Sequence, residues 1–354
     1  MKKYIALYLL ICCFALPVRA EFDADYIGEL KLYRAAFEDT FVRLARDNNL
    51  GFVELRAANP TLDPWIPGEG AEILLPSQHL LPDTPREGIT INLPEMRIFY
   101  YPPEGGAPYS FPIGIGRDGF DTPLGRTTVV RKAEHPTWRP TARMREEDPE
   151  LPASVPPGPD NPLGSHALYL GWPAYLVHGT NKPYGIGRRV SSGCIRLYPE
   201  HISELYELVP RGTPVHVVNQ PVKAGWIDDS FYIEAHAVME EADFLEVSGA
   251  IETTRLSSED VANILEVAGD FGNHLDWPKI RQVVAERRGY PVRIGTSPQK
   301  QGPRQQDTST IEKIEIEDMA EKPETDEAPD NSEDPAGRRQ ANISEAREIS
   351  RNLN

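Results

Sequence analysis

Cysteine is almost missing from this chain. Three occur in 354 residues, and because Cys12 and Cys13 sit in the opening segment, Cys194 is left alone. A disulfide framework is thereby excluded, and the solitary thiol is either an inert buried side chain or a reactive one. Long apolar runs are missing too. The stretch from Tyr4 to about Pro17 falls short of the roughly 20 residues that span a bilayer, so the chain reads as not membrane-spanning. Positive charge is in short supply, with 37 Lys and Arg against 54 Asp and Glu and a net charge of −17. An acidic surface repels phosphate backbones, which argues against nucleic acid as a partner. From Thr296 onward there is no aromatic residue, and 14 acids face 8 bases. Such a segment cannot bury enough apolar surface to offset its ordering entropy, so residues 296–354 are expected to form a disordered acidic tail.

What is present begins with Met1-Lys2-Lys3, the short apolar run, and Val18-Arg19-Ala20 ahead of Glu21-Phe22-Asp23. This is the pattern of a secretory signal peptide over residues 1–20, cleaved after Ala20. Its loss removes three bases and no acid, taking the charge to −20. Ile11 is bulky where lipid-attachment sites carry a small residue, which argues against Cys12 as a lipidated first residue.

Residues 30–82 read as strand, helix, helix, strand. Asp39-Thr40 can cap a helix with Phe41, Leu44 and Ala45 on one face, and a second amphipathic turn carries Val53, Leu55 and Ala58. Pro67-Gly68-Glu69-Gly70 then turns into a strand from Glu72 to Leu75. From 86 to 221 the apolar period switches to two, predicting strands near Thr90–Leu93, Met96–Tyr101, Tyr109–Ile115, Gly125–Arg131, Ala167–Leu170, Ala174–Val177 and Thr213–Val218. One helix, Pro199–Leu208, has proline at a natural first-turn position. The fold class expected is a mainly β sandwich or barrel, flanked by a small α+β module before it and a small α+β segment at 222–295. In that last segment Phe231–Ala235 reads as a strand, and Ser258–Phe271 and Pro278–Arg288 as helices. The proline-rich stretch Pro136 to Pro162 is expected to be a long surface loop, of the kind that covers active sites.

The chemistry concentrates in Val177-His178-Gly179-Thr180-Asn181 and, after a short spacer, Ser191-Ser192-Gly193-Cys194-Ile195-Arg196-Leu197. A thiol attacks an amide only as thiolate. It needs a base beside it, amide donors for the oxyanion, and a group that orients the base. His178 can be that base and hold the thiolate as an ion pair. Gly193 lets backbone N–H groups converge as an oxyanion hole, with Ser192 in the same loop. Arg196 offers a fixed charge to a substrate carboxylate or to the loop itself.

His-Gly-Thr-Asn followed by Ser-x-Gly-Cys-Ile-Arg-Leu resembles the signature of the YkuD-type L,D-transpeptidases, and specifically their ErfK/YbiS branch. The resemblance runs from about residue 30 through Gly88-Ile89-Thr90-Ile91-Asn92, Thr122-Pro123-Leu124-Gly125, Pro136-Thr137-Trp138 and Gly158-Pro159-Asp160-Asn161-Pro162 to about Arg293. It implies a catalytic domain over 86–221 with Cys194 as nucleophile and His178 as proton donor and acceptor. It further implies that the Gly179 carbonyl steadies the imidazole and that Thr180 and Arg196 orient the site or bind substrate. Ser192 stands where many members carry histidine, leaving the acid–base work to His178.

The 30–82 segment resembles a LysM module, in Asp39-Thr40-Phe41, Ala58-Asn59-Pro60 and Ile66-Pro67-Gly68, with Phe37-Glu38 in place of the usual Pro-Gly. The family implies a periplasmic enzyme whose partner is peptidoglycan, through tetrapeptide stems and, by the LysM-like module, glycan strands. An outer-membrane lipoprotein is a further acceptor that the resemblance offers. The implied reaction releases D-alanine from a stem and passes the acyl group to an amine. A cysteine hydrolase of the same bonds, or a non-catalytic peptidoglycan-binding protein, are the alternatives.

No cofactor is implied. Gly114-Ile115-Gly116-Arg117-Asp118-Gly119 matches a dinucleotide fingerprint, but Pro123 and Gly125 preclude the helix that fingerprint requires. The histidines outside the motif show no ligand spacing, so no metal site is expected. Trp138, Trp172 and Tyr184 are read as packing residues, with stacking on substrate as the alternative. Amino-terminal sequencing of the exported protein is expected to begin at Glu21, and a chain still starting at Met1 would remove the export reading.

Overall fold

The computed structural model describes residues 22–249 and 255–297. The expected signal peptide and all but the first two residues of the expected acidic tail lie outside them. The central body is an eight-stranded sheet. Its order is Ile195–Arg196, Leu176–His178, His166–Leu170, Gly125–Glu134, Pro214–Val218, Gly88–Asn92, Arg97–Tyr101 and Tyr109–Pro112. Two pairings are parallel, Leu176–His178 with Ile195–Arg196 and Gly88–Asn92 with Pro214–Val218; the others are antiparallel.

The sheet curls until its two edges meet. Past Tyr109–Pro112 the chain reaches Gly114, whose N–H donates to Arg196 O at 2.8 Å while Arg196 N–H donates back to Gly114 O at 2.9 Å. Ile115–Gly116 then pairs in parallel with Arg189–Ser191. Closure leaves few free edges and surrounds a core of Ile89, Ile91, Ile98, Phe111, Ile113, Val129, Leu168, Val177, Ile195, Val215 and Val217. The helix Pro199–Leu208 covers this core with Ile202 and Leu205. Every strand expected from the period-two pattern is present, with ends within two residues except Gly125–Arg131, which runs on to Glu134, and apart from the Tyr109–Ile115 run. That run breaks at Ile113-Gly114, where closure redirects it.

The amino-terminal module pairs Lys31–Arg34 with Glu72–Leu75 and sets the helices Phe41–Asp47 and Phe52–Ala58 against them. Thr40 Oγ1 accepts from Arg43 N, the N-cap the sequence anticipates. The module is bolted to the body. Arg46 makes a two-pronged bond to Glu200 at 2.8 Å on each prong, and Gly51 packs so closely on Gly187 that a Cβ there would sit 2.8 Å from the Gly187 Cα.

The carboxy-terminal segment is a three-stranded antiparallel sheet, Val222–Ile227, Ser230–Ala235 and Val292–Thr296. It is covered by the helices Ser258–Ala268 and Trp277–Glu286 over Phe231, Ile233, Ile264 and Ile280. The sequence pattern missed Val222–Ile227, because Lys223 interrupts it. That lysine is buried between Glu95, at 2.6 Å, and Glu234, at 2.9 Å. The helix Met239–Ser248 also escaped notice, since it buries acids: Glu246 meets Arg188 at 3.0 Å, and Asp243 lies 3.9 Å from Arg189. Its Leu245 joins the core of the amino-terminal module.

The insert 136–162 is corrected in one respect. It is more than a loop, for Ala142–Glu147 is a helix capped by Thr141, and Trp138 bridges Val155. Asn161 closes the insert, its side-chain amide donating to Pro136 O at 2.7 Å.

Burial raises the Glu246 carboxyl from 4.5 to about 7, with Asp243 adding to the rise and Arg188 opposing it. The native state therefore keeps a proton that the unfolded chain sheds between those values, and stability falls as pH rises through that window. Glu246→Gln is expected to flatten the pH 5–7.5 dependence of urea-unfolding free energy by up to about 3 kcal/mol. Identical slopes for the two proteins would show that Glu246 does not titrate there.

Candidate active site

Register builds the site. His178 is the parallel partner of Arg196, and Cys194 immediately precedes that strand, so the period of two sets the three side chains on one side of neighbouring strands. Strands lie about 4.8 Å apart and rise about 3.3 Å per residue, so Cys194, just before one strand, and His178, on the next, border the same guanidinium. Arg196 acts on both groups, drawing the thiol's pKa down and pushing the imidazole's down.

His178 is buried. Its Nδ1–H donates to Gly179 O at 2.6 Å, which fixes the tautomer and leaves Nε2 as the ring's acceptor; the Leu163 carbonyl is a second orienting group. Burial, reinforced by Arg196, pushes the imidazole down to about 3. Burial also pushes the Cys194 thiol up, only partly offset by Leu176 N–H and Arg196. The thiol donates to Ala174 O at 3.5 Å. Burial of both groups favours a neutral thiol beside a neutral imidazole at rest, in place of the thiolate–imidazolium ion pair that the sequence suggested; Arg196 reinforces this at the imidazole and opposes it at the thiol.

The loop before Cys194 is rigid. Gly193 has φ of +99°, a conformation that side chains disfavour, and the Tyr175 ring and the Phe120 carbonyl crowd the place where a Cβ would go. Ser191 Oγ accepts from Gly193 N at 3.2 Å and donates to Cys194 O at 2.5 Å, while Thr122 Oγ1 donates to Gly193 O at 2.9 Å. Ser192 Oγ accepts from Arg117 Nη1 at 3.0 Å. Thr180 turns its hydroxyl to Lys182 N at 2.9 Å and so shapes the turn after His178. The fold thus gathers Cys194, His178, Gly179, Ser192, Gly193 and Arg196 in one place, with Thr180 on its margin.

Sequence reasoning missed Ser191, Tyr175 and Arg117. Ser191 was legible as the first residue of the motif, whereas Arg117 sits in the glycine-rich stretch set aside as a loop. Trp172 packs on the core against Tyr175, as expected for a packing residue, while Tyr184 is exposed.

One cluster elsewhere has metal-ligand chemistry. Ligand atoms of His79, Glu95 and Glu234 lie within 4.8 Å of one another, a grouping invisible in the spacing of the histidines. The Lys223 ammonium bonds both carboxylates and supplies the cation that the acids need. The residues therefore fit a buried ion network rather than a metal.

A thiol and an oriented imidazole at the seam of a curled β sheet define a candidate acyl-transfer centre, and comparison gives it a family. Residues 86–217 match the L,D-transpeptidase catalytic domain, YkuD. The probable L,D-transpeptidase YbiS of Escherichia coli is 43% identical over 258 residues, 71% of this chain and 81% of that protein. YcfS of the same species is 49% identical over 188 residues, 51% of this chain and 59% of that protein, and ErfK/SrfK is 47% identical over 192 residues, 52% and 62%. The chain thus spans about three fifths of the last two. Among solved structures, the catalytic domain of the Enterococcus faecium L,D-transpeptidase is 25% identical over 39% of this chain and 100% of that domain, with a TM-score of 0.31. The chain belongs to the L,D-transpeptidase family.

A neutral resting pair has a kinetic signature. Alkylation of Cys194 by iodoacetamide is expected to rise about tenfold per pH unit from 6 to 8.5, without a shoulder. A plateau reaching below pH 6 would reveal a resting ion pair instead.

Proposed function

We propose that this protein is a peptidoglycan L,D-transpeptidase and that Cys194 and His178 carry the reaction. The observation that carries the reading is the register His178↔Arg196, with Cys194 immediately before the strand that holds Arg196. As Cys194 Sγ attacks the carbonyl of the diamino-acid residue in a tetrapeptide stem, His178 Nε2 takes the thiol proton. The neutral pair suits this role, since an imidazole without a proton can accept one as the S–C bond forms. Gly193 N–H is occupied by Ser191 Oγ, so the Cys194 N–H is the donor we assign to the oxyanion. His178 then protonates the departing D-alanine amine. The acceptor amine then attacks the thioester carbonyl as His178 removes its proton, the C–S bond breaks, and His178 returns that proton to the Cys194 sulfur.

Arg196 binds or orients the donor, and Ser192 and Thr180 hold the loops on either side. The acceptor is a second stem, giving a 3→3 cross-link, or the terminal lysine of an outer-membrane lipoprotein. Export to the periplasm follows from the signal-peptide reading of residues 1–20. The amino-terminal module is read as LysM-like and glycan-binding. Phe37, 81% exposed, and Trp65 and Ile66 stand on two loops tied by the Phe41 N to Pro64 O bond, an apolar surface suited to sugar faces.

Purified protein incubated with disaccharide-tetrapeptide and a lysine-ended peptide is expected to yield the joined product with loss of D-alanine, read by mass. Cys194→Ala and His178→Asn should each lower that rate by a factor of about a thousand or more. Addition of water alone would favour the hydrolase reading. Unchanged sacculus binding and an unchanged cell phenotype in Cys194→Ala would favour the non-catalytic one.

A further inference from the structure

Two like charges meet beside the thiol. Arg196 lies two residues past Cys194, and Arg117 enters from the other side, its backbone N–H bonded to Ser191 O at 2.9 Å and its Nη1 to Ser192 Oγ. The Arg117 charge is felt at Arg196, and Arg196 Nε is buried without a hydrogen-bond partner. Repulsion and an orphaned donor are both relieved by an anion placed between them.

Arg117 already holds a carboxylate. Its Nη2 donates to Glu147 Oε2 at 2.8 Å, and Glu147 ends the short helix of the insert. Arg143 reaches the same carboxylate at 3.6 Å and donates to Gly119 O at 2.8 Å. Both guanidiniums lie over the Phe120 ring, 3.9 and 3.7 Å from its centre. The insert is therefore latched beside the site through one acid, in an ion pair whose side chains are 37% and 41% exposed. Pairs that exposed contribute little and exchange readily.

We propose that Arg117 binds the terminal carboxylate of the donor peptide, and that Glu147 is an internal stand-in which the donor displaces. The donor's identity rests on the transpeptidase reading; the anion site does not. In a peptide cleaved before its last residue, the free carboxylate lies roughly 4 Å from the attacked carbon. Arg196 acts directly on the Cys194 thiol, and Arg117 bonds Ser192, two residues before it, so both cations border the loop that the donor's carboxylate must reach. The planar fork of Arg117 is pinned on one nitrogen by Ser192 and meets a carboxylate with the other, so the geometry is proved on Glu147. When the donor replaces Glu147, the insert is released from its latch as the substrate seats.

The test needs no wall substrate in its first arm. Iodoacetate and iodoacetamide consume the same Cys194 thiolate, so the ratio of their rates, followed by intact mass, isolates attraction for a carboxylate. Arg117→Gln is expected to lower the iodoacetate-to-iodoacetamide ratio about fivefold, whereas Glu147→Gln, by freeing Arg117, raises it about threefold. Arg117→Lys keeps the charge and should retain most of the ratio.

In the second arm, tetrapeptide donors with a free or an amidated terminus are compared. Arg117→Gln should raise KM for the acid alone, and Glu147→Gln should lower it. Ratios that move in the same direction in both Gln variants, or in neither, would mean that Arg117 only latches the insert, and would overturn the proposal. Opposite shifts in the alkylation arm, in a protein that turns over no stem peptide, would uphold the anion site and overturn the donor reading instead.

Discussion

Two backbone hydrogen bonds between Gly114 and Arg196 close the sheet, and the position of every reactive group depends on them. They fix the strand Ile195–Arg196 between Leu176–His178 on one side and Gly114 on the other, so the residue just before it, Cys194, cannot drift from the imidazole. Glycine is needed at the seam: a Cβ on Gly114 would sit 2.7 Å from Gly185 O, and one on Gly116 would lie 1.8 Å from Phe120 O. The glycine spacing that mimics a nucleotide-binding loop thus has another cause, the close approach of backbones where the sheet meets itself.

The parts outside the catalytic body serve the same loop. Arg188 and Arg189 lead directly into Ser191. Arg188 lies over the Phe52 ring of the amino-terminal module and pairs with Glu246 of the carboxy-terminal segment, and Arg189 donates to Met239 O. Below them runs a buried network in which Glu54 meets Arg97 at 2.9 Å and Lys223 joins Glu95 to Glu234. Removing one member would strand a buried charge at a cost of about 3–5 kcal/mol. Three segments of chain are therefore committed to one relative arrangement, and the loop before Cys194 inherits that rigidity.

Electrostatics at the site run against those of the whole. The chain carries −17, yet Arg196 acts on the thiol and Arg117 bonds the Ser192 hydroxyl of the loop before it. A local positive field in an acidic protein draws carboxylates to one place. The same field, with burial, keeps His178 unprotonated and so ready to receive a proton.

The sequence by itself determined the strands of the body, the helix Pro199–Leu208, and the motif residues from His178 to Arg196, because apolar period and local motif are short-range properties. It could not show Lys223 in a strand or acids on the buried face of Met239–Ser248, since those side chains go inward only for partners supplied by distant segments. Nor could it pair Arg117 with Ser192, 75 residues away, or bring His79 to Glu234. The charge states of Cys194 and His178 also waited on tertiary structure, because burial sets them and burial belongs to no residue alone. What the chain wrote locally was which residues could react; where they meet, and with which protons, was decided only when the sheet closed.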